Sequence, residues 1–476
     1  MGLNQFHPPE SCSIQEQFGW NVGIYFKNIS DKGALSETIM SARKFDSKIL
    51  PDFNTPMLVT PEQRQGNYFN RQIRSSYRYV FLHSHTFPLY QFKGDHIIKA
   101  GSEINYTSYS GTNESYPVFV LREDGSLSRQ ITFTGSTHIG QHITELTLFA
   151  QDSWSINKKL TVDLCIRLDK NYLISGYYIQ PRIAFVYTSF ERKTTIIQGG
   201  IGTFYDKFLL NVPDFLKSQT QTEQYYSENG ESYSLRYVPL IKNDLKLPRS
   251  IICNTEIDQQ LVKNLVLRVN YMYRKGSDEL IVNPEIVSSQ EAYLILSNNG
   301  HSLYRALETT LRYDFKNNFV VFSYIRSKAE GNLNSFSQIY GYLQEPIIRK
   351  DCYSLLPTDQ PNRLLFWGIF RLPKGITFSP LLEYHTGFPY SAVDENQNYT
   401  GEINGHRFRD FVQLDIRLTK SIKYKKYTFQ AGLKILNVLN HFNPHDVNNN
   451  IDSPYFGYSC NQVRRRTFRI VFEILY

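Results

Sequence analysis

What most constrains this chain is a strict period-two alternation that persists over eight or more residues at a time. In LTVDLCIRLD (160–169), Leu160, Val162, Leu164, Ile166 and Leu168 share one parity, and Thr161, Asp163, Cys165 and Arg167 the other. In FVQLDIRLTK (411–420), Val412, Leu414, Ile416 and Leu418 oppose Gln413, Asp415, Arg417 and Thr419. NLVLRVNYMY (264–273) sets Leu265, Leu267, Val269, Tyr271 and Tyr273 against Arg268 and Asn270. ALETTLRYDF (306–315) sets Leu307, Leu311, Tyr313 and Phe315 against Glu308, Arg312 and Asp314. Successive side chains of a strand point to opposite faces, so each segment predicts a strand with one apolar and one polar face. A slip of one residue would move every charge to the apolar face, so the same pattern fixes the register.

The connections are as informative as the strands. Short turns at 157–159 (NKK), 191–193 (ERK), 262–264 (VKN), 316–318 (KNN), 373–375 (PKG) and 423–426 (KYKK) alternate with long polar stretches. Those stretches are 205–248, 276–300, 328–361, 386–410 and 438–464, rich in Asn, Ser, Asp, Gly and Tyr. RSSYRYVFLH (74–83) and HIIKAGSEINYTSY (96–109) predict one more hairpin, and 17–46 one or two weaker strands. The total is about 16–17 strands. Strands of soluble sheets average about 5–6 residues, and propellers repeat at a near-constant period. Long strands with short turns at one rim and long loops at the other predict an all-β fold, an antiparallel transmembrane β-barrel or partial barrel. Its short turns would be periplasmic and its long loops extracellular.

Composition narrows the function classes. The 34 Tyr and 32 Phe, against 3 Trp, suit strands and membrane–water interfaces. No apolar run reaches the roughly 18 residues of a membrane helix, which excludes a helical membrane protein but not a barrel. The net charge of +8 is dispersed. Its one dense cluster, Arg464-Arg465-Arg466, reads as a solvated loop end, and no nucleic-acid partner is expected. The five cysteines have no metal-type spacing, and pairing of Cys352 with Cys460 is left open. GGIGTFYD (199–206) lacks the last Gly of GxGxxG and any following GK[ST]. His83 with His85, and His441 with His445, lack an evident third ligand. No GxSxG nucleophile motif occurs. The expectation is therefore no enzyme, no cofactor and no metal. Residues 1–20 show neither a signal-peptide pattern nor a myristoylation motif.

RQGNYFNRQIRSSYRY (64–79), PVFVLREDGSLSRQITFTG (117–135) and the segments at 149–169, 181–207, 361–375 and 414–443 resemble, in order, barrel segments of the Oar-like group of TonB-dependent outer-membrane receptors. FAQDSWSINKKLTVDLCIRLD (149–169) is similar to FxQDxWxxxxxLTLxLGLRYD, and PRIAFVYTSFERKTTIIQGGIGTFYDK (181–207) to PRxGFxxxxxxxKTxxRGGxGxFYD. PNRLLFWGIFRLPKG (361–375) and LDIRLTKSIKYKKYTFQAGLKILNVLNHFN (414–443) match further segments, so the resemblance spans roughly 55–476. Its hairpin motif falls on Pro181, Arg182, Gly199, Gly200, Gly202, Phe204, Tyr205 and Asp206. Departures are Gln198 for the usual Arg, Cys165 for Gly and Asn362 for His.

The resemblance implies that residues 1–476 are a receptor β-barrel domain, its C-terminal part, with plug and signal peptide absent. It also implies ligand capture by the extracellular loops and uptake across the outer membrane. Its partners would be outer-membrane lipid, the barrel-assembly machinery and an unidentified ligand, with the TonB complex engaged only through a plug. A passive porin or structural barrel, and a soluble all-β binding protein, are the alternatives. The ending RTFRIVFEILY resembles the terminal signal read by barrel-assembly machinery, with Phe468, Ile470, Phe472, Ile474 and Tyr476 of one parity. Deleting Tyr476 is expected to impair assembly.

Overall fold

The computed structural model describes residues 6–52, 55–189, 194–242, 244–336 and 345–475. The alternating segments form seventeen long strands. The first half holds β1 (Ser13–Ile29), β2 (Leu35–Pro51), β3 (Asn70–Thr86), β4 (Asp95–Ser115), β5 (His138–Asn157), β6 (Leu160–Asn171), β7 (Tyr178–Ser189) and β8 (Thr195–Tyr205). Then follow β9 (Arg249–Val262), β10 (Leu265–Ile286), β11 (Glu291–Phe315), β12 (Asn318–Asn332), β13 (Asn362–Leu372), β14 (Ile376–His385), β15 (Phe411–Tyr424), β16 (Tyr427–Leu436) and β17 (Thr467–Leu475). Each pairs antiparallel with the next in the chain, making one continuous meander. Among the described residues no backbone pairing joins β1 to β17, so the wall has two free edges.

Turn chemistry matches the short rim. Lys316, Lys374 and Lys425 occupy the left-handed region, with φ of 52°, 63° and 54°, as tight hairpins require. The expected ERK turn lies outside the described residues. The segment 17–46 is stronger than expected and forms two 17-residue strands. The stretch 276–300, expected as a loop, instead continues β10 and β11 outward and turns at 287–290. Apolar residues on both faces cause this: Leu280, Ile281, Val282, Leu294, Ile295 and Leu296 are all buried there.

The wall is apolar outside and polar inside. Leu148, Ile166, Ile183, Ile201, Ile257, Leu307 and Phe322 are exposed on the outer face. The inner face carries charge ladders. Arg268 Nε lies 2.7 Å from Asp258 Oδ1 and 3.3 Å from Glu256 Oε1. Arg167 Nε lies 2.9 Å from Asp169 Oδ1, and Arg363 Nη2 lies 2.8 Å from Glu383 Oε1. A water-soluble sandwich would bury the first set and expose the second. This inversion is what a bilayer demands, and it removes the soluble alternative.

Candidate functional site

The long loops converge on one rim and knit themselves into a cap. Met57–Val59 pairs with Arg64–Gly66 and, in parallel, with Val118–Leu121. Val118–Leu121 continues to Leu127–Thr134, then to Thr220–Tyr226 and Ser232–Ile241. Ser232–Ile241 runs parallel to residues 291–296 of β11. Segments far apart in sequence thus share one sheet over the wall. Two apolar clusters hold it down. Met57, Val59, Phe69, Val118, Val120 and Ile131 form one. Val212, Phe215, Leu235, Tyr237, Val282, Leu296 and Phe336 belong to the other. The 206–248 loop is pinned to the wall where Asp214 accepts hydrogen bonds from the Tyr109 hydroxyl and, at 3.1 Å, from the Gly140 amide.

Charged side chains inside the cap lock loop to loop. Arg129 Nη1 lies 3.3 Å from Glu223 Oε2, and both side chains are buried. The Arg129 guanidinium stacks 4.6 Å over the Tyr225 ring, whose hydroxyl donates to Glu223. Arg129 Nη2 also donates to the Asn396 carbonyl at 3.0 Å, reaching the 386–410 loop. Burial pushes the Glu223 carboxyl above its ordinary range, outweighing the Arg129 charge. Burial pushes the Tyr225 hydroxyl up as well, and moves the Tyr237 hydroxyl up to about 12.

A second lock crosses to the 333–361 loop. Glu345 accepts from Arg64 Nε at 3.0 Å and lies 3.6 Å from Arg349 Nη2. Burial opposes ionisation of Glu345, but the two guanidiniums prevail and hold its carboxyl below the usual range. Arg349 stacks 4.8 Å over Tyr399 and donates to the Gln397 carbonyl at 2.9 Å. Asn448 Nδ2 donates to the Pro61 and Glu62 carbonyls at 3.0 Å each, tying in the 437–466 loop.

Between cap and wall lies a cavity of about 380 Å³. Tyr68, Phe69, Phe133, Ile347 and Tyr399 supply apolar and aromatic surface; Asn70, Gln72, Asn113, Gln221 and Asn334 supply amides. Burial moves the Tyr68 hydroxyl up to about 12, so it stays a donor. The size and lining are those of a small-molecule site.

The residues singled out in the sequence lie elsewhere. Pro181, Arg182, Gly199, Gly200, Gly202, Phe204 and Tyr205 lie in the β7–β8 hairpin, and Asp206 follows β8, its backbone N–H donating to the Pro248 carbonyl beside β9 at 2.9 Å. Arg182 stacks 4.2 Å over Phe204, and a Cβ on Gly202 would stand 2.9 Å from Arg182 Cγ. The glycine therefore makes room for the stack. Two of the departing residues have partners of their own: Gln198 donates to Glu256 Oε1 at 2.6 Å, and Asn362 accepts from the Tyr324 hydroxyl at 2.7 Å. Cys165 faces the lumen opposite Arg182. Phe468, Ile470, Phe472 and Ile474 all point outward and are exposed, with Ile470 at 89 %. Arg469 and Glu473 hold the opposite parity, and Glu473 meets Arg417 at 2.8 Å. Tyr476 lies outside the described residues.

No disulfide joins Cys352 to Cys460. His83 and His85 sit 2.9 and 2.8 Å from the hydroxyls of Thr38 and Ser36. His441 Nδ1 lies 2.9 Å from Asn443 Oδ1, and no metal-type cluster occurs among the described residues. The lock residues Arg129, Glu223, Arg64, Glu345 and Arg349 escaped sequence reading. They lie outside the alternating wall strands, in stretches that carry other charges such as Glu62, Arg122-Glu123-Asp124 and Lys350-Asp351, so nothing in the sequence singles them out.

Residues 175–410 match a family model described as an outer membrane beta barrel domain. Protein YddB of Escherichia coli K12 is 26% identical over 244 residues, which are 48% of this chain and 29% of YddB. Among solved structures, the outer membrane transporter YddB from Escherichia coli superposes with a TM-score of 0.58 at 14% identity, over 96% of this chain and 65% of that one. The siderophore receptor PirA from Acinetobacter baumannii gives 0.64 at 10% identity, over 97% and 63%. A ferric enterobactin receptor PfeA variant from Pseudomonas aeruginosa gives 0.65 at 11% identity, over 97% and 61%. The chain thus spans less than two thirds of the length of each of these relatives. The shared fold is that of TonB-dependent receptor barrels, and its place is the outer membrane.

Proposed function

We propose that this chain, an outer-membrane β-barrel with the fold of the TonB-dependent receptors, is the ligand-capturing wall and cap of an uptake receptor. The observation that carries this reading is the cavity enclosed by interlocked loops from across the long-loop rim. A passive porin needs an open mouth. Here Arg129–Glu223 and Arg64–Glu345–Arg349 bind the loops to one another across that mouth. Aromatic faces and amides in the cavity suit a ligand of moderate size carrying both apolar and hydrogen-bonding surface. PirA is a siderophore receptor and PfeA a ferric enterobactin receptor, which makes ferric chelates the first class to try, ahead of oligosaccharides and peptides. Release into the periplasm, in this reading, is driven by the TonB complex acting through a plug.

Reconstitution in planar lipid bilayers tests it. A receptor cap passes no steady ion current, and a panel of ferric catecholates, oligosaccharides and short peptides should contain a compound that raises thermal stability. Replacing Tyr68 and Tyr399 by Ala should remove that rise. A steady, ligand-independent conductance would establish the porin reading instead.

A further inference from the structure

The outer face of β10–β12 carries a cluster of cations with few acidic partners, whereas Lys44 and Lys48 on the outer face of β2 are paired with Asp46 and Glu16. Cross-strand register sets Tyr273, Arg305 and Lys328 in one row, and Tyr271, Leu307 and Arg326 in the row below. Lys275, Leu303 and Glu330 form the row above. Lower still come Tyr324 and then Phe322, both exposed with Tyr271 and Leu307 on the lipid face. Lys275, Arg305, Arg326 and Lys328 are exposed on that same face. Leu265, the first residue after the short turn, is eight residues below Tyr273 and ten below Lys275. At about 3.3 Å per residue and a tilt of about 40° this places the cations roughly 20–25 Å above the short-turn rim. That height is the outer boundary of an apolar band about 25 Å tall, the headgroup level. Nine to eleven residues above their own short turn, β4 and β3 present Ile104, Phe81, Tyr106 and Tyr79 on that face.

The cluster is under-neutralised. Lys328 pairs with Glu330 at 2.7 Å, and Arg326 donates to the Asn362 side-chain oxygen at 3.0 Å. Arg305 stands directly opposite Lys328 in register, an arrangement that is destabilising between like charges unless an anion lies between them. The side chains of Arg305 and Lys275 have no ion-pair partner among the described residues. Beside them runs a groove of about 450 Å³ whose walls include Tyr271, Leu307, Arg305, Arg326, Lys328 and Pro361. An apolar floor leading up to under-neutralised cations, with Asp359 of the same groove already paired to Arg407, is complementary to an acyl chain below a phosphate.

We propose that this face binds a phosphorylated glycolipid of the outer leaflet, its phosphates held among Arg305, Lys328, Arg326 and Lys275 and an acyl chain lying over Tyr271 and Leu307. The site is on the outside of the wall, separate from the cavity under the cap, and does not depend on the uptake reading. Native mass spectrometry of the full chain released from nanodiscs doped with diphosphoryl lipid A tests it. The chain should retain lipid A, and dephosphorylated lipid A should be retained at least tenfold less. Arg305→Gln with Lys328→Gln should cut retention about 25-fold, near fivefold per charge, while Arg305→Lys with Lys328→Arg keeps it. Ser108→Gln with Ser110→Gln on the opposite wall controls for folding and should change nothing. Equal retention of the two lipid forms would overturn the proposal. So would undiminished retention by the Gln pair, or displacement by inorganic phosphate alone, which would mean a free-anion site.

Discussion

At the scale of residues, the cap is held by two charge clusters, one buried and one half-buried, that respond oppositely to protons. Glu345 is the acid-sensitive one. Its folded carboxyl lies below the ordinary value of 4.5, chiefly because Arg64 and Arg349 overcome the cost of its burial. Its contribution is therefore complete above that ordinary value and is lost as pH falls through the folded one. Proteolytic nicking of the 333–361 loop should rise as pH drops below about 4.5 in the native chain. In Glu345→Gln the loop should be nicked readily at neutral pH, with little further change on acidification. An acid-dependent rise of native size in that variant would assign the effect to another group. Glu223 behaves differently, because burial raises its carboxyl and Arg129 only partly offsets this. Removing one partner leaves the other charge buried alone. Glu223→Ala should destabilise the cap by about 3–5 kcal/mol, whereas Glu223→Leu with Arg129→Met should cost far less. Hydrogen exchange of the Leu127–Thr134 and Thr220–Tyr226 amides measures both.

At the scale of elements, face assignment is the quantity under selection by the bilayer. Ile257 and Thr310 each lie about five residues from a short turn, near mid-bilayer height, but on opposite faces. Ile257→Arg should cost about 2–4 kcal/mol in membrane-inserted stability, and Thr310→Arg, in the lumen between Glu308 and Arg268, distinctly less. Denaturant titration of the lipid-refolded chain decides this, and equal costs would mean the faces are misassigned. This same property made the wall legible. A period of two needs only local sequence, so Leu160–Leu168 or Val412–Leu418 can be read without any partner in view. The cap could not be read that way. Val118–Leu121 pairs with Met57–Val59 in parallel, across about sixty residues, and nothing in either triplet names the other. In 276–300 the polar residues hid two apolar runs, Leu280–Val282 and Tyr293–Leu296. Continuous apolar runs are the mark of strands buried on both faces, and that was the signal available. The Arg129–Glu223 lock carried no signal, since a lone charge in a loop is ordinarily solvated.

At the scale of the whole molecule, the two free edges dominate. β1 is exposed over almost its whole length, and β17 presents Phe468 to Ile474 to the outside with one edge of its backbone unpaired. In hydrocarbon each unsatisfied backbone group costs several kcal/mol, so edges this long are not tolerated bare. Either they meet each other or other strands cover them. The geometry separates these outcomes, because register is set on every other seam. Phe429 faces Ile474 directly across the β16–β17 seam. In a background with the five native cysteines replaced by Ser, Phe429→Cys with Ile474→Cys should oxidise to a disulfide. Ile24→Cys with Phe472→Cys, one on each edge at similar height, should not, and should react instead with strands supplied by another chain or aggregate. An intramolecular bond between the two edges, in a heat-modifiable monomer, would show that seventeen strands suffice to close the wall.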